Sequence, residues 1–402
     1  MNISDLSRRI SDSRTLQLNA QAGKLKEEGQ PVIHLGGGEP QSPMPPAAQK
    51  ASLEKVQSGK VKYTPVGGTK AMKKAVLSYT ERQYGKTFKP ENVLVSGGAK
   101  QALYNFLMAA VNPGDEVIFP APYWVSYPDM VRLVGGKPVI VRPQPGQFEP
   151  RLQDIEAAVT DKTRAIILNS PNNPSGEVYS EALIAEAARF CEKKGIYLVM
   201  DDIYHQLVFD GMKAPACYGF TKTDSFIVVI NGISKLYGMT GFRIGWAVGN
   251  PELVAVMNRL QGQTTSCPSD LSQTAAAAAL DGPQDCVGEL RAALQDTRNA
   301  LAAELAKCSR IKLRMPKGTF YSLPDFSACG MSSNELCAFL LEKALVVTVP
   351  GSEFGMEGHL RLSYCGPKAD VVEGARRICW ALDPAAPKTI KLGTKEVTRS
   401  WL

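Results

Sequence analysis

The sequence predicts an α/β fold with a main sheet buried on both faces, followed by a smaller α+β unit. Three observations carry this reading. Short β-branched runs recur at residues 93–95, 116–119, 138–141, 165–168, 196–200, 226–230 and 244–248, implying seven strands. Several are continuously apolar, as a strand covered on both faces requires, and helical stretches such as 101–111 and 181–194 intervene. From about Ile311 the pattern changes: 311–315, 319–323, 346–349 and 360–363 read as strands beside only two helices, 332–344 and 369–382. The alanine-rich segment 273–280 and the amphipathic stretch 287–307 read as helices joining the two units.

Composition narrows the function classes. A chain of 402 residues holds about two or three units at roughly 150 residues each. Its 44% hydrophobic and 21% charged content is ordinary for a globular protein and excludes disordered and fibrous classes. The net charge of +7 is mild, and Lys388, Lys391, Lys395 and Arg399 against Glu396 place part of it after Pro384. No basic stripe interleaved with aromatics appears, so nucleic acid is not an expected partner, whereas small anions are. Nine cysteines without a CxxC pair, beside three histidines, suggest neither a disulfide framework nor a zinc site. The first 14 residues lack an apolar core, and apolar stretches such as 106–111 are far shorter than the roughly 20 residues of a membrane helix. A reducing, cytoplasmic location without membrane partners is expected.

The chemistry-bearing residues cluster where predicted strands end. Ser96-Gly97-Gly98-Ala99-Lys100 follows the run 93–95 and opens the helix at Gln101, an arrangement in which backbone N–H groups close around a phosphate. Read alone, it is equally a tight βα turn. Asp201-Asp202-Ile203-Tyr204 follows the run 196–200, so an acid leaves the sheet at a strand C-terminus, where open α/β sheets bind ligands. Ser234-Lys235 follows the run 226–230, with Arg243 eight residues on. Most lysines are simply solvated, but Lys235 is bracketed by apolar runs and by Gly238 and Gly241; a desolvated amine titrates low and forms a Schiff base. Asn169 to Gly176 ends another run with Asn-Pro-type turns, whose plain reading is an Asx-turn loop.

Together these segments resemble the pyridoxal-phosphate aminotransferases of class I, and the bacterial aspartate aminotransferase subgroup that also holds aspartate/prephenate aminotransferases. The resemblance spans about Thr15 to Leu382. Its blocks are LGGGEP, KYTPVGG, SGGAKQAL, NPGDEVIFPAPYWVSYP, NSPNNPSG, DDIY, SKLYGMTGFRIGW, PKGTFY, and VPGSEFG with HLRLSY. It implies an aspartate-aminotransferase-like fold: a large domain with a seven-stranded, mostly parallel sheet plus a smaller α+β domain. The division expected is an arm and part of the small domain over 1–45, the cofactor domain over 46–295, the small domain over 296–383 and a tail over 384–402. That tail has no functional reading; it is expected to be flexible or to cover a dimer face.

The resemblance also implies roles. Lys235 would bond the cofactor and shuttle the substrate's α-proton. Asp201, rather than Asp202, would pair with the ring nitrogen. Asn173 and Tyr204 would hydrogen-bond the ring's phenolic oxygen, and Trp124 would stack on the ring, its plain alternative being core packing. Gly98, Ala99, Lys100 and Arg243 would surround the phosphate, with Tyr63 reaching the phosphate of a partner subunit in a homodimer. Arg361 would take the substrate α-carboxylate as a planar fork, helped by the Gly38 backbone, unless it is an exposed edge residue. Lys100 and Thr15 would meet a distal carboxylate, favouring aspartate as donor and 2-oxoglutarate as acceptor. Two departures stand out: Gly232 occupies a position where relatives carry a phosphate-binding serine, and Ser11-Asp12-Ser13 lacks the basic residue of members that use prephenate. The alternatives are a prephenate, aromatic or other 2-oxo acid aminotransferase and, more remotely, a pyridoxal-phosphate lyase or synthase.

Overall fold

The computed structural model describes residues 3–4 and 14–401, without the side chains of residues 14–16 and 19. Helix α1 (Arg14–Glu27) leads to the two-residue strand β1 (Ile33–His34), then helices α2 (Pro46–Gln57) and α3 (Lys70–Tyr84). The main sheet follows: β2 (Val93–Ser96), β3 (Glu116–Pro120), β4 (Lys137–Val141), β5 (Thr163–Asn169), β6 (Tyr197–Asp201), β7 (Ile227–Gly232) and β8 (Gly245–Val248). Helices α4 (Ala99–Ala110), α5 (Ser126–Leu133), α6 (Leu152–Ala157) and α7 (Glu181–Lys194) lie between strands. The seven strands are ordered β2-β8-β7-β6-β5-β3-β4, and only β8 runs against the rest.

The apolar runs are continuous because alternate side chains enter two different cores. Leu94, Phe119, Ile167, Val199, Ile230 and Ala247 pack with α4 on one face. Val95, Ile118, Leu168, Met200, Val229 and Trp246 pack on the other. Each such side chain contributes roughly 1.5–3 kcal/mol by leaving water, which makes the register of this sheet hard to slip.

Helices α8 (Pro251–Thr264), α9 (Asp270–Asp281) and α10 (Asp285–Leu305) lead to β9 (Tyr321–Ser322), α11 (Ser333–Ala344), β10 (Val346–Val347), β11 (Val349–Pro350), β12 (Leu360–Ser363) and α12 (Lys368–Leu382). The small sheets differ from expectation in two ways. Residues 311–315 alternate like a strand, yet only an isolated bridge from Lys312 to Asp325 forms. The run 346–349 divides at Thr348: β10 pairs in parallel with β1, while β11 joins the sheet β11-β12-β9.

The tail is an ordered hairpin, not a loose extension. Strands β13 (Thr389–Leu392) and β14 (Lys395–Thr398) pair antiparallel, and the Leu392 side chain is buried. Arg399 donates to the carbonyls of Trp380 at 2.8 Å, Asp383 at 2.5 Å, Pro384 at 2.9 Å and Ala386, capping the end of α12 with a cation as its dipole favours. Trp401 packs edge-on against Trp380 at 5.3 Å, and the hairpin tip, Gly393, lies against the Pro31 ring.

Candidate functional site

A cavity of about 750 Å³ opens at the C-terminal ends of the central strands. Strands β5, β6 and β7 are adjacent and parallel, with Asn169, Asp201 and Ile230 in register. The sheet therefore delivers Asn169, Asp201 and, after β7, Lys235 to one wall. Because β8 is antiparallel and pairs Gly245 with Ser96, its approach segment carries Arg243 to the end of β2 and the start of α4.

Asp201 forms the floor. It is 6% exposed; Tyr127 donates to its Oδ2 at 2.6 Å, and the Ile203 N–H approaches Oδ1 at 3.5 Å. Burial pushes its carboxyl up to about 6, against the pull of those two donors. Asn169 donates to the Asp201 carbonyl at 2.7 Å and accepts from the Asn173 N–H at 2.8 Å, fixing the asparagine loop beside the acid. Tyr204 is buried with its ring edge-on to Tyr321 at 6.0 Å, and burial holds its hydroxyl well above the usual phenol range.

Lys235 reaches across the cavity and donates to the Gly38 carbonyl at 2.7 Å. Burial pushes its amine down to about 8; Cys365 and Glu39 oppose that shift, and Arg243 and Arg361 add to it. An amine held this low has a far larger neutral fraction near physiological pH than an ordinary lysine, and the neutral form is the one that attacks a carbonyl carbon.

At one end, the orphan N–H groups of α4 open onto the cavity. Gly98 has φ 102°, and a Cβ there would lie 2.6 Å from Nη2 of Arg243, so the glycine both makes the turn and admits the guanidinium. Lys100 sits 4.7 Å over the Trp124 ring, its amine lowered by partial burial and by Arg243. This end is cationic, rich in backbone donors and suited to a phosphate. A Cβ at Gly232 would stand 2.9 Å from the Ile244 carbonyl, so a larger residue there requires the β7–β8 pair to shift.

The other end is built around Arg361. Strand β12 is the middle strand of its sheet, which removes the edge-exposure reading. The side chain is 7% exposed, lies between the rings of Tyr321 at 4.4 Å and Phe354 at 5.1 Å, and donates to Asn173 Oδ1 at 3.2 Å and the Gly36 carbonyl at 3.0 Å. Its Nε is buried without a partner, a donor waiting for an anion. The Gly38 carbonyl is occupied by Lys235 here, and Gly36 is the glycine that touches Arg361.

Thus Lys235, Asp201, Tyr204, Asn173, Ala99, Lys100, Trp124, Arg243, Gly38 and Arg361 all line one cavity, with Gly98 beneath Arg243. Tyr63 is elsewhere, 94% exposed. The Thr15 side chain and residues Ser11, Asp12 and Ser13 lie outside the described residues. Sequence reasoning missed Tyr127 and Tyr321. Tyr127 lies in the same block as Trp124, PYWVSYP, and meets that ring edge-on at 5.5 Å. Tyr321, whose hydroxyl a Cβ at Gly38 would meet at 2.8 Å, carried no local signal.

The class I and II aminotransferase model matches residues 30–378. An aspartate aminotransferase of Rhizobium meliloti (strain 1021) is 38% identical over 396 residues, covering 93% of this chain and 94% of its own. A probable aspartate/prephenate aminotransferase of Aquifex aeolicus is 38% identical over 383 residues, covering 93% and 97%. Among solved structures, an aspartate aminotransferase from Rhizobium meliloti superposes with TM-score 0.91 at 36% identity, covering 95% of this chain and 99% of that one. An aspartate aminotransferase from Thermus thermophilus with maleate gives TM-score 0.91 at 34% identity, covering 95% and 100%. These likenesses of sequence and fold cover nearly the whole chain, which belongs to the class I and II aminotransferases.

Proposed function

We propose that this aminotransferase binds pyridoxal 5'-phosphate and transfers the amino group of L-aspartate to 2-oxoglutarate, giving oxaloacetate and L-glutamate in two ping-pong half-reactions. The observation that carries this reading is the buried Arg361, with its unpartnered Nε, across one cavity from Asp201 and the Gly98–Arg243 cradle. The residues fit the cofactor: an anion cradle for its phosphate, an acid for its ring nitrogen, an indole for its face and a low-pKa amine for its aldehyde. When bound, pyridoxal phosphate supplies a cationic ring that takes up the electron pair released as the substrate Cα loses its proton.

The protein's own groups do the rest. Asp201 holds a negative charge in a dry floor, where it stabilises a cation strongly. Lys235 accepts and returns the Cα proton, which requires its neutral form. Tyr204 and Asn173 supply hydrogen bonds to the ring's phenolic oxygen. Arg361 Nε donates to the α-carboxylate, and the flanking aromatic rings keep that contact out of water. Lys100, over Trp124 at the cavity mouth, meets the distal carboxylate together with Thr15. The Thermus relative solved with maleate, a dicarboxylate, supports this choice. Leu103, Met130 and Leu133, apolar residues that also line the cavity, favour a second reading, in which prephenate or an aromatic 2-oxo acid is also accepted.

We also infer a cytoplasmic homodimer in which Tyr63 reaches the partner's cofactor phosphate. Leu53, Val56 and Val61, shortly before Tyr63 in the chain, are exposed too, and exposed apolar side chains of this kind suit contact with a second copy. A panel of amino donors with 2-oxoglutarate, and prephenate as a trial acceptor, tests the substrate reading. Aspartate should lead, and Lys100→Ala should harm aspartate far more than alanine turnover; equal losses would remove the distal-carboxylate role.

A further inference from the structure

Behind Asp201 lies a second buried acid for which transamination supplies no task. Asp202 is 1% exposed and sits off the cavity wall. Tyr84 donates to its Oδ2 at 2.9 Å, and Asn231 Nδ2 donates to Tyr84 at 3.3 Å. His205, also buried, stacks on the Tyr84 ring at 4.6 Å with Nδ1 3.8 Å from Asp202 Oδ2. Burial pushes its imidazole down to about 4, so the ring is neutral at pH 7. Asp202 Oδ1 and His205 Nδ1 are both buried without a hydrogen-bond partner. An ionised Asp202 would leave a buried carboxylate with one donor, Tyr84, and an unpartnered Oδ1 in a dry pocket. A proton on Asp202 removes that buried charge.

We propose that Asp202 keeps its proton behind the cofactor site, beside a neutral His205, so that a single carboxylate, Asp201, faces the ring nitrogen. The proposal rests on the reading of Asp201 given above. The groups around Asp202 agree with it. Tyr79 and Tyr84 face it from α3, Cys217 and Tyr218 from the segment before β7, and Asp201 from its own strand end. Burial holds those tyrosines and Cys217 in their neutral forms, and among the described residues no lysine or arginine pairs with Asp202. Burial, reinforced by the charge of Asp201, pushes Asp202 up to about 8, above the value of about 6 for Asp201, so Asp201 ionises first. The pair thus divides one charge between two neighbouring acids by environment alone.

Holoenzyme tests this in three ways. Infrared difference spectra at pH 7 should show a protonated carboxyl band in the wild type that Asp202→Asn removes; no such difference overturns the proposal. Asp202 keeps its proton to about 8 when folded but loses it near 3.8 when unfolded. Its contribution to stability is therefore complete below the unfolded value and is lost as pH rises to about 8. The fall in Tm between pH 5 and 8 should be smaller in Asp202→Asn, and an equal fall counts against a protonated Asp202. The pKa of the lysine-linked cofactor chromophore should stay within about 0.3 of wild type in Asp202→Asn, since a neutral amide replaces a neutral acid. A drop of about one unit or more would mean that a charge had been removed, and would overturn the proposal. Asp201→Asn separates the two readings: an unmoved chromophore pKa there removes the ring-nitrogen role of Asp201, while the infrared band still decides the protonation of Asp202.

Discussion

The two arginine-bearing ends of the cavity are made in opposite ways. The Arg243 end is local: the β2–α4 turn and the approach to β8 assemble it, backbone donors dominate, and the guanidinium is exposed. The Arg361 end gathers Gly36, Asn173, Tyr321 and Phe354 from four distant stretches around a buried guanidinium. A site made of backbone survives the loss of one side chain, because the remaining N–H groups still face the ligand. One made of interlocking side chains does not.

Experiments can break or sharpen that contrast. Lys235→Ala, which removes the group between the two ends, should cut transamination by about 10⁴-fold or more and abolish the covalent chromophore. Arg361→Lys should lower kcat/KM by about 100-fold or more, because a point cation cannot replace the fork between two rings and leaves Asn173 and Gly36 without donors. Arg243→Ala should weaken cofactor retention by only about 10-fold, measured by equilibrium dialysis; a loss as large as that of Arg361→Lys would erase the distinction. Tyr127→Phe should slow kcat by about 10-fold, since Asp201 keeps its charge but loses the donor that orients it. The smallest effect is kinetic: reconstitution of apoprotein with pyridoxal phosphate should speed up with pH through a midpoint near 8, where Lys235 becomes neutral. A midpoint near the ordinary lysine value of 10.5 would show that the amine is not desolvated.

The same contrast explains what was legible beforehand. The sheet strands stood out because most are runs such as Val228-Val229-Ile230, buried on both faces, and the edge strand β4, though partly exposed, is still a β-branched run; Lys235 and Asp201 stood out because they follow such runs. The α4 turn was visible for the same local reason. Strand β1 is two residues long and owes its pairing to a distant partner, so no run announced it, and the run 346–349 did not show that it divides between two sheets. The alternation at 311–315 misled because pattern alone cannot supply a neighbouring strand. The pairing of Tyr84 with Asp202 joins residues 118 apart, and Arg361 meets Gly36 across 325, separations no local pattern records. The tail hairpin escaped notice because its anchor is one arginine reading four carbonyls, a contact made of backbone geometry.

That hairpin also ties together parts of the chain that sequence keeps far apart. Its tip presses on Pro31, the carbonyl of Pro31 accepts from Arg377 at 2.7 Å, and Lys395 reaches Gln30 at 3.3 Å, all at the exit of α1. Fraying of α1 and peeling of the hairpin therefore become one cooperative event, and slow exchange of amide hydrogens in one segment should be lost together with that in the other. The knot that holds the first helix in place is tied some 360 residues later.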